Sequence, residues 1–134
     1  MIHDIIHTVL LYIYRWYHGK LDRLAAEKRL NSSNVAGSYL VRESERKPGN
    51  YSLDFNGATG LSHFRVTAIC GDYYIGGRKF PSLQALIGYY STNGSLMKNE
   101  KLENPVAPPE PVHIAYRVRA KLPYDGTPDS DELR

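Results

Sequence analysis

The sequence predicts an α+β domain: a central antiparallel β-sheet flanked by two α-helices, with an extra amphipathic helix at the N-terminus. Three observations carry this expectation. Apolar and polar residues alternate through residues 38–44, 51–55 and 61–70, the period of half-buried strands. Turn-forming residues separate these runs: Glu45-Arg46-Lys47-Pro48-Gly49, then Asn56-Gly57 with Gly60, then Gly71-Asp72. Helical patterns that open on capping residues stand on either side of the meander.

Taken in order, residues 1–15 place Ile2, Ile5, Ile6, Val9, Leu10 and Ile13 on one face of a helix. Asp4 lies where a signal peptide would be basic, and no small-residue cleavage site follows, so this is read as an extension. Asp22 can accept the free amides of a first turn and start a helix to about Leu30, with Leu21, Ala25, Ala26 and Leu30 as its apolar side. Residues 31–37 read as a loop. After the three strands, Gly71-Asp72 turns into a fourth run, Tyr73-Tyr74-Ile75. Ser82 can cap a second helix bearing Leu83, Leu86, Ile87 and Tyr90 at helical spacing. After Lys101 regular order is expected to end. Pro105, Pro108, Pro109 and Pro111 favour an extended linker. Residues 117–122 read as a short strand ahead of an acidic tail (Asp125, Asp129, Asp131, Glu132). The expected divisions are thus 1–15, 16–106, 107–116 and 117–134.

Composition narrows the function. A chain of 134 residues, 42% hydrophobic and 23% charged, suits one folded domain with tails and excludes a disordered polyelectrolyte. No apolar run approaches the ~18 residues of a membrane span. The single cysteine, Cys70, allows no intrachain disulfide and fits a reducing compartment. A net charge of +3 permits an anionic ligand without arguing for nucleic acid.

Strand alternation puts Leu40, Arg42 and Ser44 on one face and Tyr39, Val41 and Glu43 on the other, so Glu43 cannot neutralise its neighbour. Tyr51, Leu53 and Phe55 leave Ser52 and Asp54 opposite, and Phe64 and Val66 leave His63 and Arg65. Paired as a meander, the strands gather Arg42, Ser44, Ser52, His63 and Arg65 on one side, with Asp54 set apart further along its strand. A guanidinium on a central strand without a counter-charge is costly and calls for an anion. Backbone amides of the loop at residues 45–49 add an anion-binding nest. An internally paired Arg42 in a purely structural domain is the bland alternative.

Trp16-Tyr17-His18-Gly19-Lys20, Gly37-Ser38-Tyr39-Leu40-Val41-Arg42-Glu43-Ser44 and His63-Phe64-Arg65 resemble the Src-homology-2 (SH2) family over about residues 15–106. Tyr39 stands where the family pattern has Phe. Cys70-Gly71-Asp72-Tyr73-Tyr74-Ile75-Gly76-Gly77-Arg78, Leu86-Ile87-Gly88-Tyr89-Tyr90-Ser91 and the proline segment at 105–112 are similar to the branch found in activators of the Ras GTPase, where an SH3 domain follows. Arg117-Val118-Arg119-Ala120-Lys121-Leu122-Pro123-Tyr124 resembles the start of that SH3 domain.

The resemblance implies a non-catalytic adaptor module without cofactor or metal that binds phosphotyrosine in an extended peptide. Arg42 would grip the phosphate from the pocket floor, and Arg23 would touch phosphate and ring. Ser44 and the amides of Glu45 and Arg46 would add hydrogen bonds. Arg65 would flank the ring, and His63 would orient the pocket. A second, apolar pocket walled by Phe64, Ile75, Tyr90 and Leu96 or Met97, with Gly76 opening the rim, would read the third residue after the phosphotyrosine, with proline preferred. The implied partners are phosphorylated receptor tyrosine kinases and docking proteins. The implied setting is a cytoplasmic monomer, neither inserted in membrane nor bound to nucleic acid, drawn to the inner face of the plasma membrane by those partners.

Other chemistries fare worse. His3-Asp4-Ile5-Ile6-His7 imitates a two-histidine zinc motif but has Asp where the general base should be Glu, and no third ligand. Cys70 and Arg78 lack phosphatase-loop spacing, and no glycine-rich nucleotide loop with its lysine is present. An RNA reader would need aromatics on an open sheet face, whereas helices are expected on both faces.

Overall fold

The computed structural model describes Leu11 and residues 13–109. The N-terminal amphipathic pattern apart from Ile13, the His3/His7 pair and the segment from 110 onward lie outside the described residues.

The elements run β1 (Tyr17–Lys20), α1 (Arg23–Ser33), β2 (Ser38–Glu43), β3 (Asn50–Gly57), β4 (Gly60–Ile69), β5 (Asp72–Ile75), β6 (Arg78–Phe80), α2 (Leu83–Tyr90) and β7 (Asn104–Pro105). Both expected caps are present. Asp22 Oδ1 accepts the Ala25 amide at 2.7 Å, and Ser82 Oγ accepts the Ala85 amide at 3.0 Å. Helix α1 runs a turn beyond Leu30 and stops where Asn34 takes a left-handed conformation, φ 49°.

The strand order is β1-β2-β3-β4-β5-β6, with β7 also on β2. The meander from β2 to β6 is antiparallel, as expected. The sheet as a whole is mixed, which corrects the all-antiparallel expectation: β1 and β7 both run parallel to β2. They share its outer edge, β1 beside Val41 and Glu43, β7 beside Ser38 and Tyr39. Three residues of β1 advance while β2 advances two, and Gly19 at φ 69° accommodates the irregularity. Order also continues past Lys101, against expectation. The Val106 amide donates to the Tyr39 carbonyl at 2.9 Å, closing an edge that would otherwise leave backbone groups unpaired.

The sheet separates two apolar clusters. On one face Tyr39, Val41, Leu53, Phe55 and Val66 pack with Leu83, Leu86, Ile87 and Tyr90 of α2, along with Trp16 and Leu11. On the other, Leu40 meets only Ala26 and Leu30 of α1 as fully buried partners. Beyond this small cluster, the α1 face of the sheet is left to polar side chains.

His18 pins the C-terminal segment beneath α1. Arg29 Nη1 donates to His18 Nδ1 at 2.7 Å, so Nε2 carries the proton and donates to the Val106 carbonyl at 2.6 Å. Burial first, and the Arg29 charge second, lower the His18 pKa to about 4 against the opposing pull of the Val106 bond. The folded ring therefore stays neutral while the unfolded chain takes up a proton below its ordinary 6.5. Stability is expected to fall as pH drops from 6.5 toward about 4. The limiting slope from this one group is ~1.4 kcal/mol per pH unit. Urea unfolding across this range checks it. The slope should flatten in His18→Gln, whose amide keeps both hydrogen bonds without titrating.

Candidate functional site

Two cross-strand rows build the polar face under α1. Arg42, Ser52 and Arg65 stand opposite one another across β2, β3 and β4, and the next row is Leu40, Asp54 and His63. Residues two apart on a strand share a face, so both rows point to the same side. Helix α1 brings Arg23 and Glu27 over the rows, and the β2–β3 loop brings Ser44 and Lys47. Together they enclose an open cavity of about 250 Å³. Arg23, Arg42, Lys47 and Arg65 supply its positive charge, with Ser44, Ser52 and His63 between them and Asn50 and Tyr51 completing the wall.

Arg42 forms the floor, only 9% exposed. Its Nε donates to Asp54 Oδ2 at 2.6 Å, and its Nη1 donates to the Leu21 carbonyl at 3.2 Å. Asp54 has no exposure at all, and its Oδ1 accepts from Ser52 Oγ at 2.6 Å. His63 Nδ1 lies 2.7 Å from the same oxygen, and His63 Nε2 lies 2.8 Å from Glu27 Oε2. The ring thus bridges the two carboxylates, one at each nitrogen. Glu27 also faces Arg23 Nε at 3.5 Å. The hydrogen bond from His63, ahead of that from Arg23, holds the Glu27 carboxyl below its usual range. A chain of polar contacts thus runs from Arg42 through Asp54, His63 and Glu27 to Arg23.

This arrangement corrects one expectation. Asp54 belongs to the group, and Arg42 has a counter-charge. Asp54 is one row away on the same face, and the long arginine side chain reaches it along the diagonal. The cavity nevertheless opens to solvent above Arg42, so pairing and accessibility coexist.

Of the sequence-predicted residues, Arg42, Arg23, Ser44, Ser52, His63 and Arg65 line the cavity, while Glu45 and Arg46 do not. Ser44 Oγ accepts the amides of Arg46 and Lys47 at 3.3 and 3.2 Å, tightening the loop. Sequence reasoning missed Lys47, Asn50 and Tyr51 as lining residues, and Asp54 and Glu27 as members of the network. Lys47 sits in the loop expected to provide amides, and Asp54 shares the parity of Ser52; both signals were present.

The second set of residues is divided. Phe64, Leu96 and Met97 line another cavity of about 140 Å³ beside the β3–β4 turn, shared with Phe55, Ser62 and Glu100. Ile75 and Tyr90 are buried in the core, each at 2%. Gly76, φ 54°, lies so close to Leu96 that an added Cβ would stand 2.9 Å from Leu96 Cδ1. Leu96 therefore lies across Gly76.

An open cavity lined by four cationic side chains, on the α1 face of a mixed sheet between two helices, defines a small domain whose pocket favours an anion. The SH2 domain family model matches residues 16–90, and the chain belongs to that family. It is 59% identical over 120 residues to Ras GTPase-activating protein 1 of Rattus norvegicus, covering 89% of this chain and 12% of that protein. The Homo sapiens protein of that name is 58% identical over 120 residues, with the same coverage. Tyrosine-protein kinase Srms of Mus musculus is 38% identical over 91 residues, covering 66% of this chain and 18% of the kinase. Among solved structures, the SH2 domain of the Monosiga brevicollis CRK/CRKL homolog superposes with a TM-score of 0.65 at 30% identity, covering 71% of this chain and 88% of that one. The chain spans only 12% of the Ras GTPase-activating proteins it matches.

Proposed function

We propose that this domain binds tyrosine-phosphorylated peptides and acts as a non-catalytic recruiting module in signalling. One observation carries the reading: four cationic side chains converge on an open cavity whose floor is a nearly buried guanidinium. Planar guanidinium groups match the oxygens of phosphate, and depth excludes a phosphoserine too short to reach Arg42. In this reading the free ends of the Arg42 fork hold the phosphate, and Lys47 and the Ser44 hydroxyl close on it from the loop, with the Glu45 and Arg46 amides able to turn inward. Arg23 contacts phosphate and ring, Arg65 lies along the ring edge, and His63 with Ser52 holds the floor in place. The third residue after the phosphotyrosine meets the surface of Phe64, Leu96 and Met97 beside Gly76, backed by Ile75 and Tyr90, and proline suits so shallow a contact.

Likeness to the Ras GTPase-activating proteins supports a parent protein that acts on Ras and is brought by this domain, as a monomeric cytoplasmic unit, to phosphorylated receptor tyrosine kinases and docking proteins at the inner face of the plasma membrane. No helix among the described residues is long and apolar enough to cross a membrane. The purely structural reading explains the Arg42–Asp54 and Arg23–Glu27 pairs but leaves the opening and the convergence of Lys47 and Arg65 on it without a role.

Fluorescence anisotropy with a labelled peptide tests the proposal. The phosphotyrosine form should bind, the unphosphorylated and phosphoserine forms should not, and added salt should weaken binding. Equal affinity for all three forms would refute it.

A further inference from the structure

Asp54 is a fully buried carboxylate in the floor of a cavity whose other features favour an anion. Its Oδ2 holds Arg42 Nε at 2.6 Å, while Ser52 and His63 fix its Oδ1 at 2.6 and 2.7 Å. Three partners on three strands leave it no freedom to withdraw when a ligand arrives.

We infer that Asp54 is a built-in counter-charge that limits how tightly the pocket holds a phosphate. Asp54 keeps Arg42 Nε through binding, so the phosphate meets only the Nη ends of the fork. One of these, Nη1, already donates to the Leu21 carbonyl. An incoming phosphoryl group of about −1.5 to −2 charge then sees an ion pair at the floor in place of a bare cation. Its attraction to Arg42 is offset by repulsion from a carboxylate in the same low-dielectric site. The freely charged attraction comes instead from Lys47 and Arg65 at the rim, because Arg23 is itself shared with Glu27. Such a pocket captures phosphate through its rim and releases it readily, which suits a reversible recruiting module. This inference rests on the phosphotyrosine reading and deepens it.

The test compares wild type, Asp54→Asn and Asp54→Ser with one labelled phosphotyrosine peptide, each chain first shown folded by circular dichroism. Both variants remove the charge, and Asn keeps an acceptor oxygen within reach of Arg42 Nε. Each is expected to bind about tenfold more tightly than wild type, chiefly through slower dissociation. Unchanged or weaker binding by folded variants overturns the inference and leaves the phosphotyrosine reading standing. Failure of all three chains to bind the peptide removes both. Should neither variant fold, the wild-type chain decides the matter by NMR. At peptide saturation the Arg42 Nε–H and Asp54 carboxyl-carbon resonances should stay near their free positions while the Arg42 Nη signals move. Release of the Nε–Asp54 bond on binding overturns the inference.

Discussion

Arg42→Ala is expected to weaken phosphotyrosine-peptide binding by about 2–5 kcal/mol, the range for truncating one partner of a buried charged pair at an interface. The structure explains why the loss should be this large even though Arg42 is already paired. Truncation removes the Nη donors at the floor and also strips the cation from Asp54, leaving a bare carboxylate to face the phosphate. The same change should destabilise the free domain. Breaking a buried ion pair costs about 3–5 kcal/mol in general. The hydrogen bonds that Ser52 and His63 keep on Asp54 place this case toward the lower end. Adding Asp54→Asn to Arg42→Ala should recover part of both losses. Calorimetric titration with urea unfolding on the four chains of this cycle separates the two effects. Arg42→Lys should also bind poorly, since an ammonium cannot reach Asp54, the Leu21 carbonyl and a phosphate with one planar fork.

The second large effect is on stability. Leu30 and Ala26 are the buried residues of α1, and Leu30, fully buried, meets Leu40 of β2 in the smaller apolar cluster. Leu30→Ala is expected to cost about 2–5 kcal/mol, the transfer of the lost atoms plus the cavity left behind. Few other apolar contacts hold this helix, because the remainder of its footprint is the polar network of Glu27, His63 and Arg23. The loss should therefore appear as a lower urea midpoint at unchanged m-value and as weaker peptide binding, since α1 carries Arg23 over the cavity. Full stability in Leu30→Ala would contradict this account of how α1 is seated.

Much of the architecture was legible from local chemistry. The two helices announce themselves through Asp22 and Ser82, whose side chains do accept the first-turn amides. The strands from β2 to β5 follow from alternation and turn residues. The parallel edge was not legible. Tyr17–Lys20 has no alternation because three of its four residues are buried, and Asn104–Pro105 is too short to show a period. Their pairing depends on chain segments far apart in sequence, which no local pattern encodes. At the site, parity alone placed Arg42, Ser52, His63 and Arg65 together, and the structure agrees. Asp54 had the same parity, but its partnership with Arg42 depended on exact register and on the diagonal reach of a long side chain. The fate of Leu96 was likewise hidden, because it depends on how an irregular loop lies against Gly76.

Titration of isotope-labelled protein with free phosphotyrosine, followed by NMR, tests the central claim most directly. The account predicts saturable shifts confined to the cavity: the Arg42 Nη groups, Ser44 and the loop through Lys47, Asn50, Tyr51, Arg65 and the start of α1, with phosphoserine leaving Arg42 unmoved. Shifts located elsewhere, or a cavity silent to phosphotyrosine at saturating concentration, would contradict it.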